Sequence, residues 1–504
     1  MIQSTWQRLS AWGGFSFLAG IFIVACSLGL GGMSDLRGPN TPYTLAYFVL
    51  ASLAYGASVI RLERDRPPLT MIWIFALLIR LPLLLHPPTL SDDVYRHIWD
   101  GHLLIQRINP YAFAVNSSAL DVYATPFRSL VNHSTMASPY LPVAQVISAL
   151  IVGIAPHSPL AFQVCAMIFD LASGWIIAGL LRRTGLPVRR CLVYLWCPLV
   201  AVESTHGAHI DYWMILWMLL AFWILTSPSQ GKEPHAGLKK TSSRRGWHVR
   251  EIASSLALGS ATLVKGVPVL IAPLFLRRWG WRGITAFAVW IIGLSGVFAL
   301  KGGWGLTGPL DGTGLFGAIR IYMTSWNYNS SIYHWLEVGL TGYPSAGAVP
   351  PEAAYMKSIF ISRAITAGLL GAAVIAAGIL VFKLDIPGRG DSIQRLRSLL
   401  RLALLPLGSY IMLSAVVHPW YLVIVMPFLP FFWPTPQETW RPDYLAWPWI
   451  YLSCAVAFSY ATYLDPLHLH EYAWVRNVEY LPFYGLMIWA LIKSRMRLVI
   501  SPSY

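Results

Sequence analysis

Charge is what this chain has least of. Only 12% of its 504 residues are Asp, Glu, Lys or Arg, about half the ~25% of an ordinary soluble domain, and the mean hydropathy is +0.55. That balance excludes a conventional soluble fold. Cysteine is scarce as well: Cys26, Cys165, Cys191, Cys197 and Cys454 all fall in apolar stretches. No disulfide framework is visible, and packing is the role left to them. The chain lacks a Gly-Lys-Ser/Thr phosphate loop, a fixed-period repeat and a second soluble domain, so nucleotide-driven chemistry has no support. It also lacks the short alternating strands of a membrane barrel.

What remains is a succession of apolar runs long enough to cross the ~30 Å hydrocarbon core. They cover 10–31, 43–61, 70–86, 159–181, 190–204, 208–226, 281–300, 357–382, 399–416, 420–434, 444–463 and 478–495. Two further segments, 141–157 and 251–275, read as re-entrant pieces or hairpins of half-helices, because Pro142, Pro268 and Pro273 break them. The expected fold is an all-α polytopic membrane protein of about 12–14 helices, forming one integral membrane domain over 1–504. Ile23-Val24-Ala25-Cys26 is like a lipoprotein cleavage site, but the apolar run continues through Gly32 and reads as an uncleaved first helix.

The net charge is +15, and most Lys and Arg residues sit in short connectors. Arg61, Arg64 and Arg66, then Arg182, Arg183, Arg189 and Arg190, then 227–250, 383–401 and Lys493, Arg495 and Arg497 carry most of it. A positive-inside reading puts these connectors and both termini in the cytoplasm, with 227–250 a flexible basic linker, and argues against nucleic acid as a partner. The opposite face then receives 87–140, Glu203 to Asp211, 301–356, the turn at His418 and 464–477. These are the segments rich in His, Asp, Asn, Trp and Tyr.

The first of them, about 54 residues long, is too long for a passive connector. It opens with SDDVYRHIWDG at 91–101, an acidic and basic cluster between apolar stretches. Carboxylates at a membrane edge are costly and are kept for chemistry or transport. Ser91 is the expected N-cap of a short interfacial helix running to about His102, with Asp92, Arg96 and Trp99 on one face and Asp93 and Asp100 on another.

In series with INPY (108–111), VNHSTMASPYLPVAQ (131–145), CPLVAVESTHGAHID (197–211), ATLVKGVPVLIAPL (261–274), WNYNSS (326–331) and VHPWYLVIVMPFL (417–429), this string resembles the GT-C class of polytopic glycosyltransferases. Members of that class take sugars from polyprenyl phosphate donors, and the likeness is to the bacterial mannosyltransferase-like branch. It runs over most of 70–430. One departure is Pro139-Tyr140-Leu141-Pro142, where relatives carry Tyr-Pro-Pro.

The resemblance implies transfer of a sugar, mannose first, from a polyprenyl phosphate donor to a glycan or lipid acceptor on the extracytoplasmic side of a bacterial inner or plasma membrane. A one-step inverting transfer needs a carboxylate to take the acceptor hydroxyl's proton. It implies one acid of the loop motif for that role, Asp92 before Asp93; adjacent carboxylates also raise each other's pKa toward neutrality. The departing phosphate needs cations or donors, for which Arg80, Arg96, Lys265 and His418 are candidates. Each has a structural alternative: Arg80 snorkelling, Arg96 pairing with Asp92, Lys265 as an interfacial anchor. Trp420 and Tyr421 read first as an aromatic belt, with Trp420 also a substrate-binding candidate. His209 and Asp211 suit hydrogen bonding to donor or acceptor. With His206 and Glu203 they offer metal-ligand types, but their spacing matches no zinc pattern, and no metal site is assigned. Some relatives use a divalent cation and others do not. Asn327 and Asn329, among aromatics, suit sugar recognition. Rival readings are a transporter or lipid flippase, and a ligase or polymerase of diphosphate-linked glycans.

Overall fold

A computed structural model describes residues 14–226, 241–306, 311–341, 352–384, 392–432, 444–466 and 468–494. Among them the only strand-like element is an isolated bridge between Tyr328 and Val416, and everything regular is helical. In chain order the α-helices are α1 (Phe15–Gly31), α2 (Thr41–Asp65), α3 (Leu69–Arg80), α4 (Asp93–Ile105), α5 (Pro142–Ile154) and α6 (Pro159–Arg183). There follow α7 (Leu192–Leu195), α8 (Pro198–Thr205), α9 (Asp211–Leu225), α10 (Thr241–Val264), α11 (Leu276–Gly302) and α12 (Gly317–Ser325). The remainder are α13 (Ile332–Thr341), α14 (Glu352–Leu384), α15 (Ser392–Leu402), α16 (Leu404–Leu413), α17 (Ala446–Ala455) and α18 (Ala473–Ser494).

Five stretches are long and apolar enough to cross a bilayer: Gly38–Asp65, Pro159–Arg183, Leu276–Gly302, Met356–Leu384 and Ile393–Leu413. Shorter apolar helices cover Phe15–Gly31, Leu69–Leu84, Pro142–Ile154 and Asp211–Leu225. The chain is an all-α polytopic membrane protein.

Several of the expected segments take another form. The 190–204 run is cut into a 3-10 turn (Val188–Cys191), α7 and all but the last residue of α8, because Pro198 cannot continue a helix. The 420–434 run becomes two 3-10 segments, Pro419–Ile424 and Met426–Phe432, with Pro427 and Pro430 in the second. In 251–275 no half-helix hairpin forms. Instead α10 starts back in the basic stretch at Thr241, runs to Val264, and gives way to a 3-10 segment, Val267–Leu274, that begins beside Pro268. Residues 227–240 of the basic linker, 307–310 and 342–351 of the 301–356 loop, 385–391, and Arg495 and Arg497 lie outside the described residues.

The chain divides into two compact units. One comprises Met1–Pro82, Leu181–Ala201 and Trp326–Tyr504; the other comprises Leu83–Leu180 and Val202–Ser325. The second holds the long loop and its helix α4. The loop is packed. Trp99 and Leu103 of α4 form a core with Val115, Leu120 and Val131, and each such large apolar side chain contributes about 1.5–3 kcal/mol when fully buried. A second core joins Tyr111 and Leu141 to Phe298, Ala299 and Leu315. Helices α4 and α5 approach closely at Gly101, where a Cβ would stand 2.6 Å from the carbonyl oxygen of Ser148. In the first unit Arg189 and Arg190 share the carboxylate of Glu63.

Candidate active site

Helix α4 begins one residue later than the sequence suggests. Asp92, not Ser91, is the N-cap, and the Ser91 hydroxyl accepts from the Asp93 N–H at 3.3 Å. The Asp92 carbonyl accepts from the Tyr95 N–H at 3.1 Å. Asp93 thus stands in the first turn, where the helix dipole favours a negative charge. The helix ends where Arg107 adopts a left-handed backbone, φ 61°.

The Asp93 carboxylate is held by one side chain and faces another. Its Oδ1 accepts from the Asn132 side-chain amide at 2.9 Å, and its Oδ2 lies 3.7 Å from His209 Nδ1. The other ring nitrogen, His209 Nε2, lies 3.3 Å from Glu203 Oε2. Glu203 and His209 are buried, their side chains 1% and 2% exposed, whereas Asp93 keeps 20% of its surface. The turn that presents His209 is tight. Ala208 has φ 54°, a left-handed conformation that costs a non-glycine residue. A Cβ at Gly207 would stand 2.6 Å from His209 Cδ2, so only glycine lets the ring lie there. Just before it, His206 Nε2 accepts from the Thr89 N–H at 3.1 Å.

Arg96 lies one turn along α4 from Asp92. It is buried and donates to the carbonyls of Asn132, His133 and Met136. It therefore pins the stretch that carries Asn132. Asp100 is buried; it accepts from the Ser138 hydroxyl and from Gln145 at 3.3 Å. Burial pushes its carboxyl up to about 6, against the opposing pull of Arg96 and those two donors. His97 packs among Tyr140, Phe162 and Trp213. Burial drives its imidazole down to about 3, helped by His209, Arg96 and Lys265 and opposed by Asp93. Burial, with Asp93, Asp100 and Asp211 nearby, keeps the Tyr140 hydroxyl protonated well above its usual range.

Lys265 follows the last residue of α10, and Asp211 is the first residue of α9. The ammonium lies 2.9 and 3.1 Å from the two Asp211 oxygens. Each charge sits at the helix end whose dipole favours it. The opposite ends of this pair, Thr226 and Thr241, lead into the basic linker. Among the described residues no group of three or more His, Cys, Asp or Glu is arranged to hold a metal ion.

Arg80, Asn327, Asn329, His418 and Trp420 belong to the other unit. Arg80 is fully buried at the end of α3 and donates to the carbonyls of Ala76 at 2.8 Å and Leu195 at 2.9 Å. Trp420 and Tyr421 are buried, not displayed as a belt. The His418 ring is stacked between Trp420 and Tyr328, with centroids 4.4 and 4.7 Å away. Asn327 donates to Glu337 at 2.7 Å, and Asn329 donates its side chain to Glu479 at 2.7 Å and its N–H to Glu471 at 3.0 Å. Arg476 bridges Glu471 and His334. A cleft beside Tyr328, Asn329, Glu471 and Arg476 has room for about one water molecule.

Sequence reasoning missed Asn132 as a partner of Asp93, the packing of His97 against Tyr140, and the contacts of Glu471, Glu479 and Arg476. The first was findable in principle, since the motif that closes the loop contains it. The others show themselves only through contacts between distant segments.

Residues 36–280 match the family described as alpha-(1->6)-mannopyranosyltransferase, N-terminal domain. That segment contains Asp92, Asp93, Asn132, Glu203, His209, Asp211 and Lys265. No curated protein and no solved structure matches the chain.

Proposed function

We propose, for a membrane glycosyltransferase that carries a mannopyranosyltransferase N-terminal domain, that the reaction is mannosyl transfer from a polyprenyl phosphate to a glycan or lipid acceptor, with Asp93 as general base. The observation that carries this reading is the Asp93 carboxylate, fixed by Asn132, facing His209 and still a fifth exposed. A base must be held in position and open to its substrate; the Asn132 contact and the remaining exposure of Asp93 support that role. As the acceptor oxygen bonds to the anomeric carbon, its proton passes to Asp93 and the carbon–oxygen bond to phosphate breaks. Lys265, a fifth exposed beside Asp211, is the cation we assign to the leaving phosphate.

The reaction side is part of the proposal. Asp211 and Lys265 mark the end of the α9–α10 pair remote from its basic linker, and basic segments stay cytoplasmic. The site then opens on the extracytoplasmic side, with both termini cytoplasmic.

The test is transfer by the purified full chain with a panel of radiolabelled polyprenyl phosphate sugars. Consumption of the mannosyl donor, abolished by Asp93→Asn, supports the reading. If Asp92→Asn abolishes transfer and Asp93→Asn does not, the base is Asp92. Use of a diphosphate-linked donor alone overturns the reading in favour of a ligase or polymerase.

A further inference from the structure

Two histidines leave the turn that follows α8. His209 faces Asp93 across 3.7 Å. His206 makes a hydrogen bond: its Nε2 accepts from the Thr89 N–H at 3.1 Å, and the Thr89 hydroxyl oxygen is also 3.1 Å from that atom. A backbone N–H can only donate, so Nε2 carries a lone pair and the ring proton sits on Nδ1. The Thr89 hydroxyl is then the donor in its own contact. Both residues are buried, where a backbone donor left without a partner is costly.

Thr89 stands four residues ahead of Asp93. The stretch from Pro87 to Asp92 forms neither helix nor strand. Pro87 and Pro88 have no N–H, so Thr89 carries the first backbone donor after His86. The His86 carbonyl accepts from the Gln163 side chain at 3.0 Å. The lead-in to α4 is thus gripped at His86 and again at Thr89, just before Ser91 and Asp92 open the helix. We propose that His206 is a positioning residue for Asp93, clasping this lead-in so that the carboxylate is held toward His209. The inference rests on Asp93 being the base. One turn, with its left-handed Ala208, carries both the clasp and the ring that faces the acid, so the two are set together.

The experiment uses the full-length protein with a short-chain polyprenyl phosphate mannose and a mannoside acceptor. His206→Leu removes the acceptor atom. Its kcat per folded molecule is expected to fall about 10- to 100-fold, the scale of a ~1 Å misplacement, with KM for the donor unchanged. His206→Gln, whose amide oxygen also accepts, is expected to recover most of that loss. Thr89→Pro removes the N–H and leaves the imidazole; it is expected to lower kcat as His206→Leu does, and the double variant to lower it no further. A folded His206→Leu enzyme with wild-type kcat overturns the clasp, as does a His206→Gln enzyme no better than His206→Leu. If neither His206→Leu nor Thr89→Pro folds, hydrogen exchange at the Thr89 amide of wild type decides. Exchange as fast as in exposed loops overturns the proposal, and strong protection supports it. Loss of the Asp93 base reading is recognised separately, by an Asp93→Asn enzyme that keeps its activity.

Discussion

Lys265 and Asp211, 54 positions apart, form a two-oxygen ion pair that ties the last turn of α10 to the first turn of α9. Asp211 is 3% exposed, and both of its carboxylate oxygens lie against that ammonium. Lys265→Met is expected to destabilise the protein by about 3–5 kcal/mol, the usual consequence of leaving a buried charge uncompensated. The double variant Lys265→Met/Asp211→Asn restores stability, read as the thermal midpoint in detergent. Transfer does not return with it if Lys265 also serves the departing phosphate.

Arg96→Lys keeps the charge and loses the planar fork that reaches three carbonyls. The stretch from Phe127 to Met136 is expected to become a cleavage site for chymotrypsin under conditions where wild type resists. Transfer falls with it, because Asn132 no longer holds Asp93 in place.

His97 makes stability depend on pH. An unfolded histidine titrates near ~6.5, the buried one at about 3. Between those values the unfolded chain binds more protons. The stability is therefore complete above the unfolded value and is lost as pH falls. At pH 5 the loss is about 2 kcal/mol. His97→Phe, which keeps the aromatic packing, is expected to flatten that decline in midpoints measured from pH 7 to 5.

Asp100 acts in the opposite sense. Its folded value of about 6 lies above the unfolded ~3.9, so the folded chain binds more protons between them, and stability falls as pH rises through this window. Asp100→Asn is expected to steepen the acid decline left by His97, in the same series of midpoints.

Gly101→Ala tests the α4–α5 crossing. The added Cβ would meet the Ser148 carbonyl at 2.6 Å, and overpacking of this kind costs about 1–3 kcal/mol. Gly153→Ala, on the facing helix, meets only the Ile105 Cδ1 at 3.8 Å and is expected to be neutral or mildly stabilising. Both are read from the thermal midpoint.

Much of the architecture was legible because apolar length and charged connectors are properties of composition. The long α2, α6, α11 and α14 follow directly from it. What composition does not report is where proline cuts an apolar run: 190–204 and 420–434 have the hydropathy of spans but not their hydrogen bonding. The loop of 87–140, α4 within it and the break at Lys265 were all readable from local signals. The cap was misplaced by one residue because Ser91 and Asp92 both suit the position. The pairing of Asp93 with Asn132, 39 residues away, is a tertiary fact. So is the burial of Arg96, whose i,i+4 spacing from Asp92 suggested a local ion pair. His209 facing Glu203 needs the left-handed Ala208, and no residue-type preference announces alanine there.

Asp93 and Arg96 leave the same helical turn and fasten to one short segment, 132–136, Asp93 through the Asn132 side-chain amide and Arg96 through backbone carbonyls. Lifting that run to admit something bulky would strip the carboxylate of its amide donor at the same moment. The carboxylate's placement and the fold of that segment are therefore one property, and neither can be altered alone.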